Sequence, residues 1–491
     1  MTTYFPTIGL EIHAELDTVT KMFCSSKNDP DAEPNTNICP ICMAHPGTLP
    51  TINKEAVKHV LRVGHAVGGT IADFTEFDRK NYFYPDIPKG YQISQYEHPL
   101  VSGGSLGGVA LTRVHLEEDT AKSTHNSTKL MAGDQGSYSL VDFNRSGVPL
   151  MELVTEPVIT SGEEAATFAK ELQLLLRYLG AGEANMEKGQ MRVEANISVS
   201  TDKDTFGTKV EVKNLNSFRS VEGAIACELA RHTKLLEEGK GGEIVQETRG
   251  WDEQKQTTFS QRQKEGSADY RYFPDPDLPK LWISKIPEFQ SDELSKEIPE
   301  LPWERRERYA ATYSLDEQTS DIFVRSLPWA AYFEAVMAEI GQDPDRRKLA
   351  VNYITTDLIG MMKKDDAIEF FADVDPADYV TPAGFAATIT MTAESALSSR
   401  GAKDLLATLY REEAGADPKT IAEREGLLQT SDEGAIKSIV AEVVAENPEE
   451  TELFKQGNEK VLQFLVGQGM KKSKGSANPQ VLKELFEKEL K

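Results

Sequence analysis

Cysteine is scarce in this 491-residue chain, with four residues in all, so no disulfide framework holds it and the fold must rest on buried apolar surface. Long hydrophobic runs are missing too. None approaches the roughly 20 residues needed to cross a bilayer, which leaves no candidate membrane span. The opening MTTYFPTIGLEIH shows neither a basic leader with an apolar stretch nor an Arg-rich amphipathic pattern, so the cytoplasm is the default expectation. Positive charge is in deficit. With 54 Lys and Arg against 79 Asp and Glu, the net charge is −25, which opposes diffuse attraction to nucleic acid; any RNA contact must be local. Several signatures are also absent: GxxxxGK[ST], GxGxxG after a strand, HExxH and GxSxG. A nucleotide, if used, is therefore not held by a P-loop. No Ser-rich amidase signature occurs either, so any release of ammonia belongs to another chain.

What is present reads as two or three domains. Up to about residue 290, alternating strand-like segments mix with a few helices and many Gly, Pro and Asn turns. Beyond about 300 the pattern becomes helix after helix, as in PWAAYFEAVMAEI and GAIKSIVAEVVAE. The proline-rich KIPEFQSDELSKEIPELP reads as a linker. In TSGEEAATFAKELQLLLRYLG, Ala165, Phe168, Leu172, Leu175 and Leu179 make a helical stripe, Ser161 and Glu164 have capping-box spacing, and Gly180 ends the helix. A second helix carries Val57, Val60, Leu61 and Val67 on one face. A third carries Val221, Ile225 and Leu229, and is expected to bury Cys227 as a small hydrophobe.

The strands say more about chemistry. In TIGLEIHAEL, Ile8, Leu10, Ile12 and Ala14 alternate with Gly9, Glu11, His13 and Glu15, so one face is apolar and the other sets an imidazole between carboxylates. MRVEANISVS and TKVEVKNL repeat the scheme with Arg192 and Glu194, and with Lys209, Glu211 and Lys213. One such strand alone reads as a solvated face; several in one domain point to a polar working surface. Glu11 and His13 share a side and could grip a hard divalent cation, given more oxygen ligands. Glu117, Glu118 and Asp119 in HLEEDTAKSTH, Glu152 and Glu156 in VPLMELVTEP, and Glu194 could supply them.

Loops rich in amide and base, EFDRKNYFYPDIPKGYQISQYEHP, VKNLNSFRS and EGSADYRYFPDPDLP, place Arg79, Lys80, Lys213, Arg219 and Arg271 where a phosphorylated ligand could meet them. Cys24, with Cys39 and Cys42 in a CxxC, suits tetrahedral zinc, but a fourth ligand is missing unless His45 or water completes the set. Near the end, Lys471, Lys472 and Lys474 in GMKKSKGSANPQ are expected between a helix ending near Gly469 and one opening at Asn478 and Pro479.

IGLEIHAEL, AEPNTNICPICMAHPGTLP, FDRKNYFYPDIPKGYQISQ, HLEEDTAKS, DFNRSGVPLMELVTEP, KNLNSF, EGSADYRYFPDPD and FLVGQGMKKSKGSANPQ, in that order from about residue 5 to about 490, closely resemble the GatB/GatE family, the B component of the aspartyl/glutamyl-tRNA amidotransferases. The resemblance implies an α+β chain: an antiparallel-sheet cradle over 1–293, an all-helical domain over 294–410 and a small YqeY-like helical tail over 411–491. It implies a ligase that uses ATP and Mg²⁺ to phosphorylate the side-chain carboxylate of glutamate or aspartate mischarged on tRNA. Ammonia from an amidase, the A component, then displaces phosphate, and a small C component joins both in a heterotrimer. Motif matching assigns Glu11, His13 and Lys80 to catalysis, and Glu11, His13, Glu152 and Glu194 to Mg²⁺, with Glu117 or Glu118 joining them. Lys80, Lys213, Asn214 and Arg271 would contact ATP or the tRNA acceptor end, and Lys471, Lys472 and Lys474 the phosphates of the tRNA elbow. Two departures stand out: the family more often has Asp where Glu194 stands, and members with a full zinc site have CxC where this chain has Cys24 and Ser26, so Cys24, Cys39 and Cys42 form an incomplete zinc set. Whether the product is glutaminyl-tRNA, asparaginyl-tRNA or both is left open. Two rivals also stand: another ATP-dependent ligase acting on a free carboxylate, and a tRNA-binding scaffold whose acids are structural.

Overall fold

The computed structural model describes residues 3–126, 138–263, 270–365, 374–411, 415–429, 433–473 and 477–490. By its internal contacts the chain divides into two units, Met1–Leu301 and Pro302–Lys491.

The first unit is organised by a ten-stranded sheet. Its central strand is Phe5–Glu15, paired antiparallel on one side with Met191–Ser200 and on the other with Pro149–Thr155. Val109–Glu118 follows beyond Pro149–Thr155; Val210–Leu215, Glu247–Asp252 and Thr257–Gln263 follow beyond Met191–Ser200. Pairing is antiparallel except between Val210–Leu215 and Glu247–Asp252, which run parallel. That exception has a plain cause: the helix Phe218–Glu237 separates these two strands in sequence, and a crossover of this kind returns the chain in the same direction.

The alternation seen in the opening strand sorts its side chains as expected. Ile8, Leu10, Ile12 and Ala14 are buried, each large one contributing about 1.5–3 kcal/mol relative to exposure. The helices Gly162–Tyr178 and Phe218–Glu237 pack against each other, and the second lies on Met191–Ser200 and Val210–Leu215. Ser161 caps the first of them by accepting the Glu164 N–H. Gly162 is required by the close approach: a Cβ there would lie 2.5 Å from the Glu222 carbonyl oxygen, so Gly162→Ala would force the two helices apart. Cys227 departs from expectation. It is only half-buried, and its neighbour Glu228 is the residue fully enclosed, because Glu228 shares a face with Val221 and Ile225 and is paired with Arg231 and Arg249, as described below. The segment read as a linker does not run free. It folds into short helical turns, including Ser291–Lys296, and Glu288 and Glu297 pair with Lys54 and Lys58 of the helix Lys54–Ala66.

The described residues of the second unit form helices and turns, apart from one isolated bridge between Leu397 and Leu428. Asp316, Ser326, Asp343, Thr381 and Asp417 each cap a helix with a side-chain oxygen, and Tyr309, Phe323 and Phe333 meet in an aromatic cluster. The last four helices, Glu433–Glu446, Pro448–Lys455, Lys460–Lys472 and Pro479–Leu490, enclose a core of their own built on Ile436, Val440, Leu465, Leu482 and Phe486. Lys471 and Lys472 occupy the last turn of Lys460–Lys472 rather than a loop after Gly469, because the helix continues one turn further than its apolar pattern indicates. Lys474 lies outside the described residues.

Candidate functional site

Strand register assembles the site. Because side chains alternate, residues paired across neighbouring strands stand on the same face of a sheet. Glu11 is opposite Glu194, His13 is opposite both Arg192 and Glu152, and Glu152 is opposite His115. Acids and imidazoles from four strands thus form one row. Glu152 Oε2 lies 3.3 Å from both His13 Nε2 and His115 Nε2, and His13 Nε2 is 3.6 Å from Glu117 Oε1. Three overlapping groups each bring ligand atoms within 4.8 Å of one another: Glu11, His13 and Glu152; His115, Glu117 and Glu152; and Glu11, Glu194 and Glu211.

On the far side of Glu194 the sheet carries a bulge. Pairing shifts between Val193 with Leu215 and Ala195 with Val212, so Lys213 and Asn214 together oppose Glu194. Asn214 takes φ +58, a left-handed conformation that Asn tolerates better than most residues. The bulge turns both side chains into the cavity, and Lys213 Nζ reaches Glu194 at 2.7 Å and Glu211 at 3.7 Å.

The row forms the floor of a cavity of about 820 Å³, lined also by Lys80, Gln92, Gln95, Arg113, Asp119 and a group of tyrosines. Lys80 comes from the strand Asp78–Asn81, part of a small sheet with Tyr91–Ser94 and Phe273–Pro274, and its ammonium lies 3.9 Å from Glu117 Oε2.

Crowding of charge sets the protonation states. Burial opposes the His13 cation, but the hydrogen bond and charge of Glu152, with Glu117 and Glu194, outweigh it and raise the imidazole to about 9. Burial likewise opposes charge on Glu152, yet His115 and His13 hold its carboxyl well below the usual range. Glu11 is raised, by burial first and then by Glu152 and Glu194. Lys80 is raised as well, since Glu117 and Glu152 overcome its burial. At one end of the row, burial and the neighbouring Asp119 push Glu15 up to about 8, while Arg192 and Arg145 overcome burial to hold Asp119 low.

The residues singled out from sequence divide cleanly. Glu11, His13, Lys80, Glu117, Glu152, Glu194, Lys213 and Asn214 all line the cavity. Glu118 does not: the pleat turns it to the opposite face, where it pairs with Lys89 at 2.6 Å and accepts the Ile93 N–H at 3.0 Å. Arg271 is outside the lining while its neighbours Tyr270 and Tyr272 are in it; Arg271 sits at φ +45 and its carbonyl accepts from Asn81. Arg79 serves structure, paired with Asp275 and Asp277 and lying over the Tyr91 ring. Sequence reasoning misses His115, although its alternation with Glu117 and Asp119 in HLEED is the signal that could find it.

Cys24, Cys39 and Cys42 do converge, their sulfurs within 4.8 Å of one another. Ser26 Oγ is 3.9 Å from Cys42 Sγ, and so is the ammonium of Lys21, which is fully enclosed and donates to the Phe143 carbonyl at 3.0 Å. A buried cation already facing the sulfurs, with a hydroxyl in the place of a fourth thiolate, fits a zinc dication poorly.

Carboxylates and imidazoles converging beside ammonium groups make a site that can hold a hard cation against a phosphorylated substrate. The unit that carries this cavity is a GatB/GatE-type catalytic domain: the family model described as the GatB/GatE catalytic domain matches residues 6–286, and that described as the GatB domain matches 331–490. The B component of the aspartyl/glutamyl-tRNA(Asn/Gln) amidotransferase from Picosynechococcus sp. is 41% identical over 504 residues, covering 100% of this chain and 98% of the relative. Proteins of the same name from Persephonella marina and Dehalococcoides mccartyi are 41% and 43% identical, covering 99% and 100% of this chain and 99% of each relative. The chain belongs to the GatB family.

Proposed function

We propose that this chain is the transamidase component of a tRNA-dependent amidotransferase. It forms Gln-tRNA(Gln), Asn-tRNA(Asn) or both from the mischarged precursors with ATP, working with an amidase (the A component) and a small C component. The observation that supports this most directly is the register that sets Glu194, Glu11, His13 and Glu152 side by side on the floor of one cavity with Lys80 beside them.

The donor set, carboxylates with an imidazole, fits Mg²⁺. Glu11, Glu117, Glu152 and Glu194 would hold it, and His13 would join them on giving up its proton, since a bound dication would take over the role of neutralising the acids that raise the imidazole; once bound it supplies neutralisation of charge on the transferring phosphoryl group. The chain's own residues do the rest. Lys80, held cationic by the acids around it, binds phosphate oxygens of ATP and stays charged through neutral pH. Lys213 and Asn214, set by the bulge, hold the nucleotide or the acceptor end from the other rim. Between these cations the substrate carboxylate is oriented to attack the γ-phosphorus, giving an acyl phosphate and ADP. Ammonia, unprotonated, then attacks the acyl carbon and phosphate leaves.

The last four helices, which have their own core, serve as the tRNA-binding tail. Lys471 and Lys472 in the last turn of Lys460–Lys472 lie where cations also favour the helix dipole.

The test is a reconstituted complex given mischarged tRNA of both types, ATP and glutamine. Amidation that needs both charged tRNA and ATP, and collapses with Glu11→Ala in a correctly assembled complex, is the expected result. Full activity of that variant would favour a scaffold, and amidation of a free carboxylate without tRNA a different ligase.

A further inference from the structure

One wall of the cavity is built of tyrosine. Tyr82, Tyr84, Tyr96, Tyr270 and Tyr272 all line it, drawn from two segments far apart in sequence. The Tyr96 and Tyr272 rings stack with centroids 4.3 Å apart and planes 7° from parallel. Tyr270 meets Tyr82 and Tyr272 edge-on, each at 6.0 Å. Tyr84 and Tyr96 remain 68% and 55% exposed, so flat apolar surface faces solvent at the mouth of a polar cavity. The amides nearby have other duties: Gln92 donates to the Glu118 carbonyl and Gln95 to Thr75 Oγ1, each at 2.6 Å, and Gln95 also accepts the Leu116 N–H. The wall therefore offers ring faces rather than a pattern of donors and acceptors.

Lys80 links this wall to the acids. Its ammonium lies 5.4 Å from the Tyr270 ring centroid and 3.9 Å from Glu117 Oε2. Across the cavity the order is thus aromatic rings, an ammonium, then carboxylates suited to a cation. A nucleotide presents the complementary order: a flat base, then phosphates, then the cation that phosphates carry.

We propose that the tyrosine wall is an adenosine-stacking subsite with the Tyr96–Tyr272 pair as its platform; this rests on reading the chain as an ATP-using, tRNA-amidating enzyme component. Both ATP and the 3′ end of tRNA present an adenine, and stacking on an aromatic face grips either one without reading its edge.

The test uses the complex with its partner chains. Tyr96→Ala and Tyr272→Ala are expected to raise the KM for ATP or for mischarged tRNA roughly 5- to 150-fold, the range spanned by loss of one stacked base, with kcat changed far less. Tyr96→Phe and Tyr272→Phe keep the wild-type KM, and Tyr272→Leu, with its bulk but no ring, behaves as the Ala variant. In separate arms, 2-aminopurine replaces adenine in the triphosphate or at the tRNA 3′ end. Its fluorescence is quenched on binding to wild type and stays bright with the Ala variants. The arm that shows the difference identifies whose adenosine occupies the wall. Unchanged KM for both substrates, with equal quenching in wild type and Ala variants, overturns the subsite while the wild-type complex still amidates. A wild-type complex that fails to amidate with ATP overturns the underlying reading instead.

Discussion

Glu228→Gln perturbs the frame of the site without touching the site. Glu228 is fully buried on the helix Phe218–Glu237. Its carboxylate lies 2.6 Å from Arg231 Nη2, 3.1 Å from Arg249 Nε and 3.4 Å from His232 Nε2, and it accepts the Thr258 hydroxyl. Next to Arg249, Thr248 donates to Glu211, which neighbours Lys213, so the buried anion braces the strands that carry the cavity's rim. Burial opposes ionisation, but hydrogen bonds from His232, Arg231 and Thr258 outweigh it and bring the carboxyl from an ordinary 4.5 to about 2. At about 1.4 kcal/mol for each tenfold in proton affinity, that is about 3 kcal/mol of native-state stability. The folded value is depressed, so this contribution is complete above about 4.5 and is lost as pH falls through about 2. Hydrogen exchange read by mass spectrometry on the whole chain should show the protected amides of Phe218–Glu237, Glu247–Asp252 and Thr257–Gln263 exchanging roughly a hundredfold faster in the variant at neutral pH. In urea titrations the gap between the two proteins should be flat from pH 5 to 8 and close toward pH 2. Equal protection at neutral pH, or a gap that widens in acid, would refute the reasoning.

Lys80→Met should lower kcat/KM for ATP by roughly 10²–10³-fold, as loss of a charge aimed at a developing anion does, with assembly unchanged by size-exclusion chromatography. Glu117→Gln and Glu118→Gln should separate: the first should raise the Mg²⁺ concentration for half-maximal activity about tenfold or more, while the second, on the other face with Lys89, should shift the melting temperature and leave the Mg²⁺ dependence alone. Elemental analysis of the purified chain should find well under one zinc per molecule, and EDTA should leave the melting temperature unchanged; stoichiometric zinc would contradict the role given to Lys21. In tRNA binding titrated with salt, Lys471→Ala should reduce the slope of log affinity against log salt by about one. Lys472→Ala should do less, because Lys472 already pairs with Glu442 and Glu446.

Periodicity in the sequence was enough to determine the local elements of this protein. The opening strand, its neighbour Met191–Ser200 and the helix capped by Ser161 stand where alternation and capping residues placed them, because these features report on a few successive residues. The pairing of Glu11 with His13 on one face was legible for the same reason. Only the tertiary structure decided which distant acids join them. Strand order across the sheet is set by long-range burial that no local pattern records, and it decides which face of Val109–Glu118 meets the cavity, so that His115 and Glu117 line it and Glu118 does not. The bulge that turns Lys213 and Asn214 inward, the buried Glu228 and the convergence of five tyrosines likewise exist only once separate segments are packed together: Lys213 meets Glu194 across 19 residues, Glu228 meets Thr258 across 30, and the tyrosines come from two distant segments.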